Sequence, residues 1–371
     1  MLHHEGAQRG ATVNTPSHNR IAQLFGIDLP VIQAPMAGAS TPAMAIAVSE
    51  AGGLGSLPAA LYSVEEFAAA LAEVRAGTKK PVNVNFFSHV PPAADPVQMM
   101  KWRALLAPYY VEHGIDTSGP IPTGNRAPFN EEYCAVVEAF RPEVVSFHFG
   151  LPEETLLERV RRTGARIISS ATSVAEARCL EKRGVDAIIA MGFEAGGHRG
   201  NFLTDDLDIA SAVGTFALVP QIVDAVSVPV IAAGGIADQR GVRAALALGA
   251  EAVQVGTAYL FTPEAKVSAI HRKALKEAAD NDTALTNLFT GRPARGIFNR
   301  LMREVGPIST VAPAFPTSGG ALIPLRKAAE NEQLGDFTNL WSGQAGPLSK
   351  EMSSAALTRY LGEVFTATRE A

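Results

Sequence analysis

The chain is short of cysteine, of net charge and of long apolar runs, and each shortage removes a class of function. Only two cysteines, Cys134 and Cys179, occur in 371 residues. They lie far apart in segments that read as helices and form no CxxC pair, which argues against a thiol redox centre or a zinc ribbon. The formal charge is only −5, so there is no basic footprint for nucleic acid. No apolar stretch approaches the roughly 20 residues that span a bilayer. The first residues lack the apolar core of a secretory signal. Charged residues are 19% of the chain and apolar residues 47%, a balance that fills a large core and excludes a disordered protein. The expectation is a cytoplasmic protein with small-molecule partners, and with neither nucleic acid nor membrane as a partner. Oligomeric state is not legible.

What is present is a regular alternation. Eight short apolar runs occur at 31–36, 53–57, 82–87, 144–149, 166–171, 186–191, 229–234 and 252–257. Amphipathic stretches at 41–51, 64–76, 173–183 and 238–248 read as helices between them. Strands alternating with helices imply βαβ units and a parallel sheet. Eight units fit an α/β fold of the (β/α)₈ TIM-barrel type better than an open doubly wound sheet, which is the alternative. Gly52, Gly184 and Gly249 fall just past three helices, where a left-handed cap is wanted. Ser173 with Glu176 three residues on has the pattern of a capping box. The predicted organisation is a flexible tail over 1–18, a barrel over 19–257, a helical and loop-rich insertion over 258–335, and a C-terminal segment over 336–371 whose helix 350–370 returns to the barrel. Residues 88–140 form a second long excursion, with a polar loop at 113–130.

Chemistry in such barrels gathers at the carboxyl ends of the strands. The sixth run opens into a loop holding Gly192, Gly196, Gly197, His198 and Gly200. Those glycines allow close backbone approach or positive φ, and His198 is the side chain there able to exchange a proton near neutral pH. Glycines after the last two runs, Gly234–Gly235 and Gly256 before Thr257, suit an anion site made of backbone N–H groups and a helix N-terminus. Strand parity puts Asn83 with Asn85, and Ser146 with His148, on shared faces, and sets Gln254 opposite Val253 and Val255. Outer faces lie under helices and should be apolar, so these polar sets should point inward, toward a ligand or into a self-satisfied network. Ala34, Pro35 and Met36 end the first run and suit a narrow, backbone-lined mouth for a flat aromatic ligand, with Met36 as simple core the other reading. Glu194 either orients His198 or caps nearby backbone. His148 and His198 lack a third ligand at metal spacing, so no metal is expected. Phe86, Phe149, Phe193 and Trp341 are either a small apolar pocket or core.

Taken together, these residues resemble the nitronate monooxygenases, also called 2-nitropropane dioxygenases, in a class I-like form. The resemblance runs from about Ile21 to about Leu361. It is carried by the segments 33–38, 82–86, 146–150, 192–200, 230–235, 253–257, 291–296 and 340–344 in that order. It implies a TIM barrel with FMN as cofactor. It implies oxidation of alkyl nitronates, such as propionate 3-nitronate, by O₂ to a carbonyl compound and nitrite. Flavin contacts carried over by motif fall on Ala34, Pro35, Met36, Asn85, Met191, Gly196, Gly197, Gly235, Gln254, Val255, Gly256 and Thr257. The catalytic histidine matches His198, and a second active-site histidine matches His148. Met191 stands where the family pattern carries Gln, and a thioether is a weak acceptor at most. Two alternatives share the barrel: an FMN-dependent NAD(P)H:quinone or enoyl reductase, and a non-catalytic flavin-binding barrel. No GxGxxG fingerprint is present. A barrel of the IMP dehydrogenase type needs a nucleophilic cysteine on a top loop, which neither Cys134 nor Cys179 supplies.

Overall fold

The structure, a computed structural model, describes residues 19–116, 119–122, 126–204 and 209–367. The tail expected over 1–18 and parts of the polar loop at 113–130 lie outside the described residues.

Eleven strands are formed among the described residues: β1 (Val31–Gln33), β2 (Gly55–Pro58), β3 (Val82–Phe87), β4 (Val144–His148), β5 (Arg166–Ala171), β6 (Ala187–Met191), β7 (Gly197–His198), β8 (Val230–Ala233), β9 (Ala252–Val255), β10 (Thr283–Thr286) and β11 (Ala294–Ile297). Eight of them pair in parallel in the order β1-β9-β8-β6-β5-β4-β3-β2. The two ends of that order meet. Ile32 bridges Leu54, with Gln33 N–H donating to the Leu54 carbonyl at 3.0 Å. An open doubly wound sheet would leave both edges free, so the sheet is a closed (β/α)₈ barrel.

Alternation along the strands builds two layers. Val31, Val84, Val145, Ile167, Ile188, Val230, Val253 and Val255 face outward and pack under the helices. Inside, the amino-terminal half is filled by Ile32, Leu54, Val144, Ile168, Ile231 and Ala252, and the helix Arg20–Phe25 plugs that end with Ile21 and Phe25. The carboxyl-terminal half is lined instead by Asn85, Ser146, His148, Ser170, Met191 and Gln254. The base is thus mostly apolar, with one buried polar pair in which Asn83 Nδ2 donates to Ser56 Oγ at 3.0 Å, and the mouth is polar. This gradient puts a ligand site at one end.

Helix ends follow local chemistry. Gly52, Gly184 and Gly249 all have positive φ. At Ser173 only half of the expected box forms. Its hydroxyl accepts from Glu176 N–H at 3.2 Å, but the Glu176 carboxylate accepts from Thr172 N–H at 2.6 Å and from Phe202 N–H at 2.7 Å. Glu176 therefore ties this helix to the far end of the glycine loop.

The two excursions read separately from sequence form one layer over the mouth. The helix Pro96–Glu112 brings Trp102, Leu106 and Tyr109 against Leu288, Phe289, Leu301 and Phe337 of the later segment. Trp102 Nε1 donates to the Ser318 carbonyl at 3.0 Å. Strands β10 and β11 form an antiparallel hairpin to which β7 adds as a third strand. The C-terminal helix Ser354–Ala367 packs Leu357, Leu361 and Val364 into the outer core beside the helices Pro42–Glu50 and Gln239–Ala247.

Candidate active site

A cavity of about 450 Å³ opens at the carboxyl end of the barrel. Its walls include Ala34, Pro35, Met36, Asn85, His148, Met191, Gly196, Gly197, His198, Gly235, Gln254, Gly256 and Thr257. The structure therefore gathers these sequence-selected residues around one space. Val255 is the exception. It alternates with Gln254, so its side chain turns outward into the helix-covered core, and contact with a ligand through that side chain is ruled out.

The glycine loop owes its composition mainly to the protein itself. A Cβ at Gly192 would lie 1.9 Å from Thr215 Oγ1, and one at Gly200 would lie 2.4 Å from Ser170 Oγ. At Gly196 it would sit 2.5 Å from Gly343 N. Gly197 alone of the four has open space around it, and its φ of +72° is what demands glycine. Three of the four thus admit neighbouring chain, and the loop is clamped. Arg295, fully buried, donates from Nε to the Phe193 carbonyl at 3.1 Å and lies 4.4 Å over the Phe193 ring. Glu194 does not orient His198. Its carboxylate accepts from Thr215 N–H at 2.8 Å and from Thr215 Oγ1 at 2.8 Å, capping the helix Thr215–Val223.

The two histidines have different environments. His148 uses both ring nitrogens: Nδ1 lies 2.7 Å from Ser170 Oγ, and Nε2 lies 3.0 Å from the His198 carbonyl. A carbonyl can only accept, so Nε2 carries the proton and Nδ1 accepts from Ser170. Burial pushes the His148 pKa down to about 4, opposed by its bond to the carbonyl. His198 has Nε2 at 2.9 Å from Thr290 Oγ1. Its Nδ1 has no partner among the described residues, and the ring borders the cavity. Burial, then Arg126, His148, Arg292 and His89, hold its pKa well below 6.5. Both imidazoles are neutral at physiological pH.

The walls carry Arg126, Lys266 and Arg326 against one carboxylate, Glu194. Arg126 and Arg326 both line the cavity, and burial together with Arg326 lowers the Arg126 pKa. A guanidinium stays charged through such a shift. Arg292 stacks 4.3 Å over Phe149 behind the histidines. The fixed charges that act on His198 are Arg126 and Arg292, so the field at that ring favours an anion.

The remaining wall suits a flat, phosphate-bearing group. Gln254 Oε1 is buried in it without a partner, and an orphaned buried acceptor there costs about 1–3 kcal/mol unless a ligand donor meets it. Gly235, with φ +72°, and Gly256 present backbone on the same side. The helix Gln239–Ala247 offers less than its position suggests. Asp238 already accepts from Arg240 N–H and Gly241 N–H, which leaves the loop before it as the anion-facing part.

Several site residues escaped the sequence reading. Phe87 lines the cavity, and parity with Asn85 points to it. Ser170 shares its inward face with Ile168 and is likewise accessible to that argument. Arg126, Arg326 and Thr290 come from the excursions, where no periodicity marks an inward face. Of the four aromatics weighed as a pocket, Trp341 lines it. Phe86 packs outward against Phe67, Phe129 and Tyr133. Phe193 lies under Arg295, and Phe149 backs the histidines.

A (β/α)₈ barrel with a polar cavity at its carboxyl end, a neutral histidine on a clamped loop and glycine loops opposite defines a ligand-binding barrel enzyme. The comparisons specify which kind. The family model described as nitronate monooxygenase matches residues 18–363. A nitronate monooxygenase of Pseudomonas aeruginosa is 42% identical over 349 residues, 93% of this chain and 98% of that protein. One from Paraburkholderia phytofirmans is 40% identical over 348 residues, 91% and 92% of the two chains. A nitroalkane oxidase from Streptomyces ansochromogenes superposes with a TM-score of 0.84 at 37% identity, covering 94% of this chain and 99% of that one. FabK from Thermotoga maritima superposes with a TM-score of 0.68 at 28% identity, over 95% and 97%. The chain belongs to the nitronate monooxygenase family and is an oxidoreductase. Among the described residues, no helix is long and apolar enough to cross a membrane.

Proposed function

We propose that the protein binds FMN in this cavity and oxidises alkyl nitronates with O₂ to a carbonyl compound and nitrite. The observation that carries the reading is His198, a neutral imidazole on a clamped loop at the cavity wall, its Nδ1 without a partner among the described residues, in a field set by Arg126 and Arg292. A nitronate is an anion, and that field draws it in. Family membership and the likeness to a nitroalkane oxidase support the same reaction class.

In this reading Gln254, Asn85, Met191 and the backbones at Ala34, Pro35, Met36, Gly196 and Gly197 hold the flavin ring. The loops at Gly235, Gly256 and Thr257 hold its phosphate. FMN bound there supplies electron transfer from the nitronate to O₂. The chain supplies position and charge. Arg126 and Arg292 attract the anion and His198 stands over it. With a neutral nitroalkane, His198 Nδ1 takes the α-proton and so produces the nitronate. His148 is a positioning residue, donating from Nε2 to the His198 carbonyl. Met191 offers no hydrogen bond comparable to an amide, so the electronic tuning of the flavin falls more heavily on Gln254.

The test is His198→Asn. The expected loss of kcat/KM is about 100-fold or more on nitroethane and about 10-fold or less on ethyl nitronate, in the range for removal of a general base. Equal losses on both substrates would remove the base role.

A further inference from the structure

The partner of His198 Nε2, Thr290, comes from outside the barrel. Thr290 lies in the connection between β10 and β11 and is 1% exposed. That connection is rigidly held. Gly291, at φ +93°, passes so close to residues 313–315 that a Cβ would lie 2.2 Å from the Pro313 carbonyl oxygen. Its N–H donates to the Asn287 carbonyl at 2.7 Å. The Asn287 side chain exchanges two hydrogen bonds with the Ser309 backbone, at 2.8 and 2.9 Å. β7 joins this hairpin through the pairs His198 with Ala294 and Gly197 with Arg295. The loop that carries His198 and the turn that carries Thr290 are thus one built unit.

Thr290 Oγ1 sits 2.9 Å from His198 Nε2 and 3.4 Å from the Arg292 carbonyl oxygen. A hydroxyl has one proton to give. Given to the Arg292 carbonyl, it leaves the oxygen free to accept from Nε2–H, and both contacts are made. Given to Nε2, it leaves one contact and an Nδ1–H without a partner among the described residues. The first arrangement satisfies more groups. We propose that Thr290 is a positioning residue that selects the His198 tautomer with its proton on Nε2, so that Nδ1 meets the substrate as a lone pair.

The consequence for chemistry follows directly, and it rests on the nitroalkane reading above. The α C–H bond breaks and an Nδ1–H bond forms. The C–H electron pair becomes the C=N bond of the nitronate, the N=O π pair moves onto a nitro oxygen, and the imidazolium keeps its Nε2–H on Thr290. The opposite tautomer has no lone pair to offer and would act only as a hydrogen-bond donor to the nitro oxygens.

Long-range ¹H–¹⁵N correlation spectra of the ¹⁵N-histidine-labelled, flavin-loaded protein test this without any substrate. His198→Asn identifies the resonances. The wild type is expected to show the Nε2–H tautomer at His198, and Thr290→Ser to keep it. Thr290→Val removes the oxygen and should move the population toward Nδ1–H, lowering kcat/KM on nitroethane about 10-fold while that on ethyl nitronate stays within about 3-fold. An Nδ1–H tautomer in the wild type overturns the proposal, as does a Thr290→Val protein with an unchanged tautomer. If Thr290→Val fails to fold, the wild-type and Thr290→Ser spectra decide. Absence of turnover with any nitro compound would sink the functional reading, while the spectra would still judge Thr290.

Discussion

Lowering the pH should destabilise this protein through His148 in particular, by an amount that can be worked out. The imidazole is held neutral between Ser170 and the His198 carbonyl, with its pKa pushed down from 6.5 to about 4. A histidine whose folded-state value lies below its unfolded value binds fewer protons when folded. Its contribution is complete above pH 6.5 and is lost as the pH falls from there toward 4. At pH 5 the unfolded side chain is almost fully protonated and the folded one almost fully neutral. The loss relative to pH 8 is then about 2 kcal/mol, at about 1.4 kcal/mol per pKa unit. His148→Gln is the comparison, because an amide can still donate to the His198 carbonyl but does not titrate. His89, also lowered by burial, and Arg292 are common to both proteins and cancel. His198, which a charged His148 would push lower, feels little of that down to pH 5 because His148 stays mostly neutral there. Urea unfolding at pH 8, 6.5 and 5 reads the difference. Wild type should lose about 2 kcal/mol more than the variant between pH 8 and pH 5. Parallel losses would refute the neutral, tethering role of His148.

Two substitutions probe the cavity walls. Gly196→Ala places a methyl 2.5 Å from Gly343 N and 2.7 Å from the Ser342 carbonyl carbon. Neither can yield cheaply, so overpacking should cost about 1–3 kcal/mol and lower flavin retention, read as absorbance per protein after gel filtration. Gln254→Leu removes the unpartnered Oε1. The flavin-free protein should keep or slightly gain thermal stability while FMN affinity falls about 10-fold, the reverse of what a purely structural glutamine would give.

The barrel was legible because its signal is periodic. Val84 alternates with Asn83 and Asn85, Val145 with Ser146, and Val253 and Val255 with Gln254, so each strand declares its inner face. The same rule should have excluded Val255 and admitted Phe87. The glycine loop stood out in sequence, but its reason did not. Steric demands from Thr215, Gly343 and Ser170 are tertiary facts. β7 was invisible for a related cause. Two residues carry no alternation, and its partner strand lies roughly a hundred positions on, supplied by an excursion. Arg126, Arg326 and Thr290 come from such segments. Their side chains reach the cavity or His198 because apolar anchors such as Trp102 and Phe289 dock one excursion on the other.

The central claim is tested most directly by mixing the purified, flavin-loaded protein with propyl nitronate in the absence of oxygen and recording its visible spectrum. The expected result is rapid loss of oxidised-flavin absorbance, restored when air is admitted, with nitrite released. A flavin bleached by NADH but not by nitronate would assign the protein to the reductase reading. A protein that takes up no FMN would contradict the proposed function at its base.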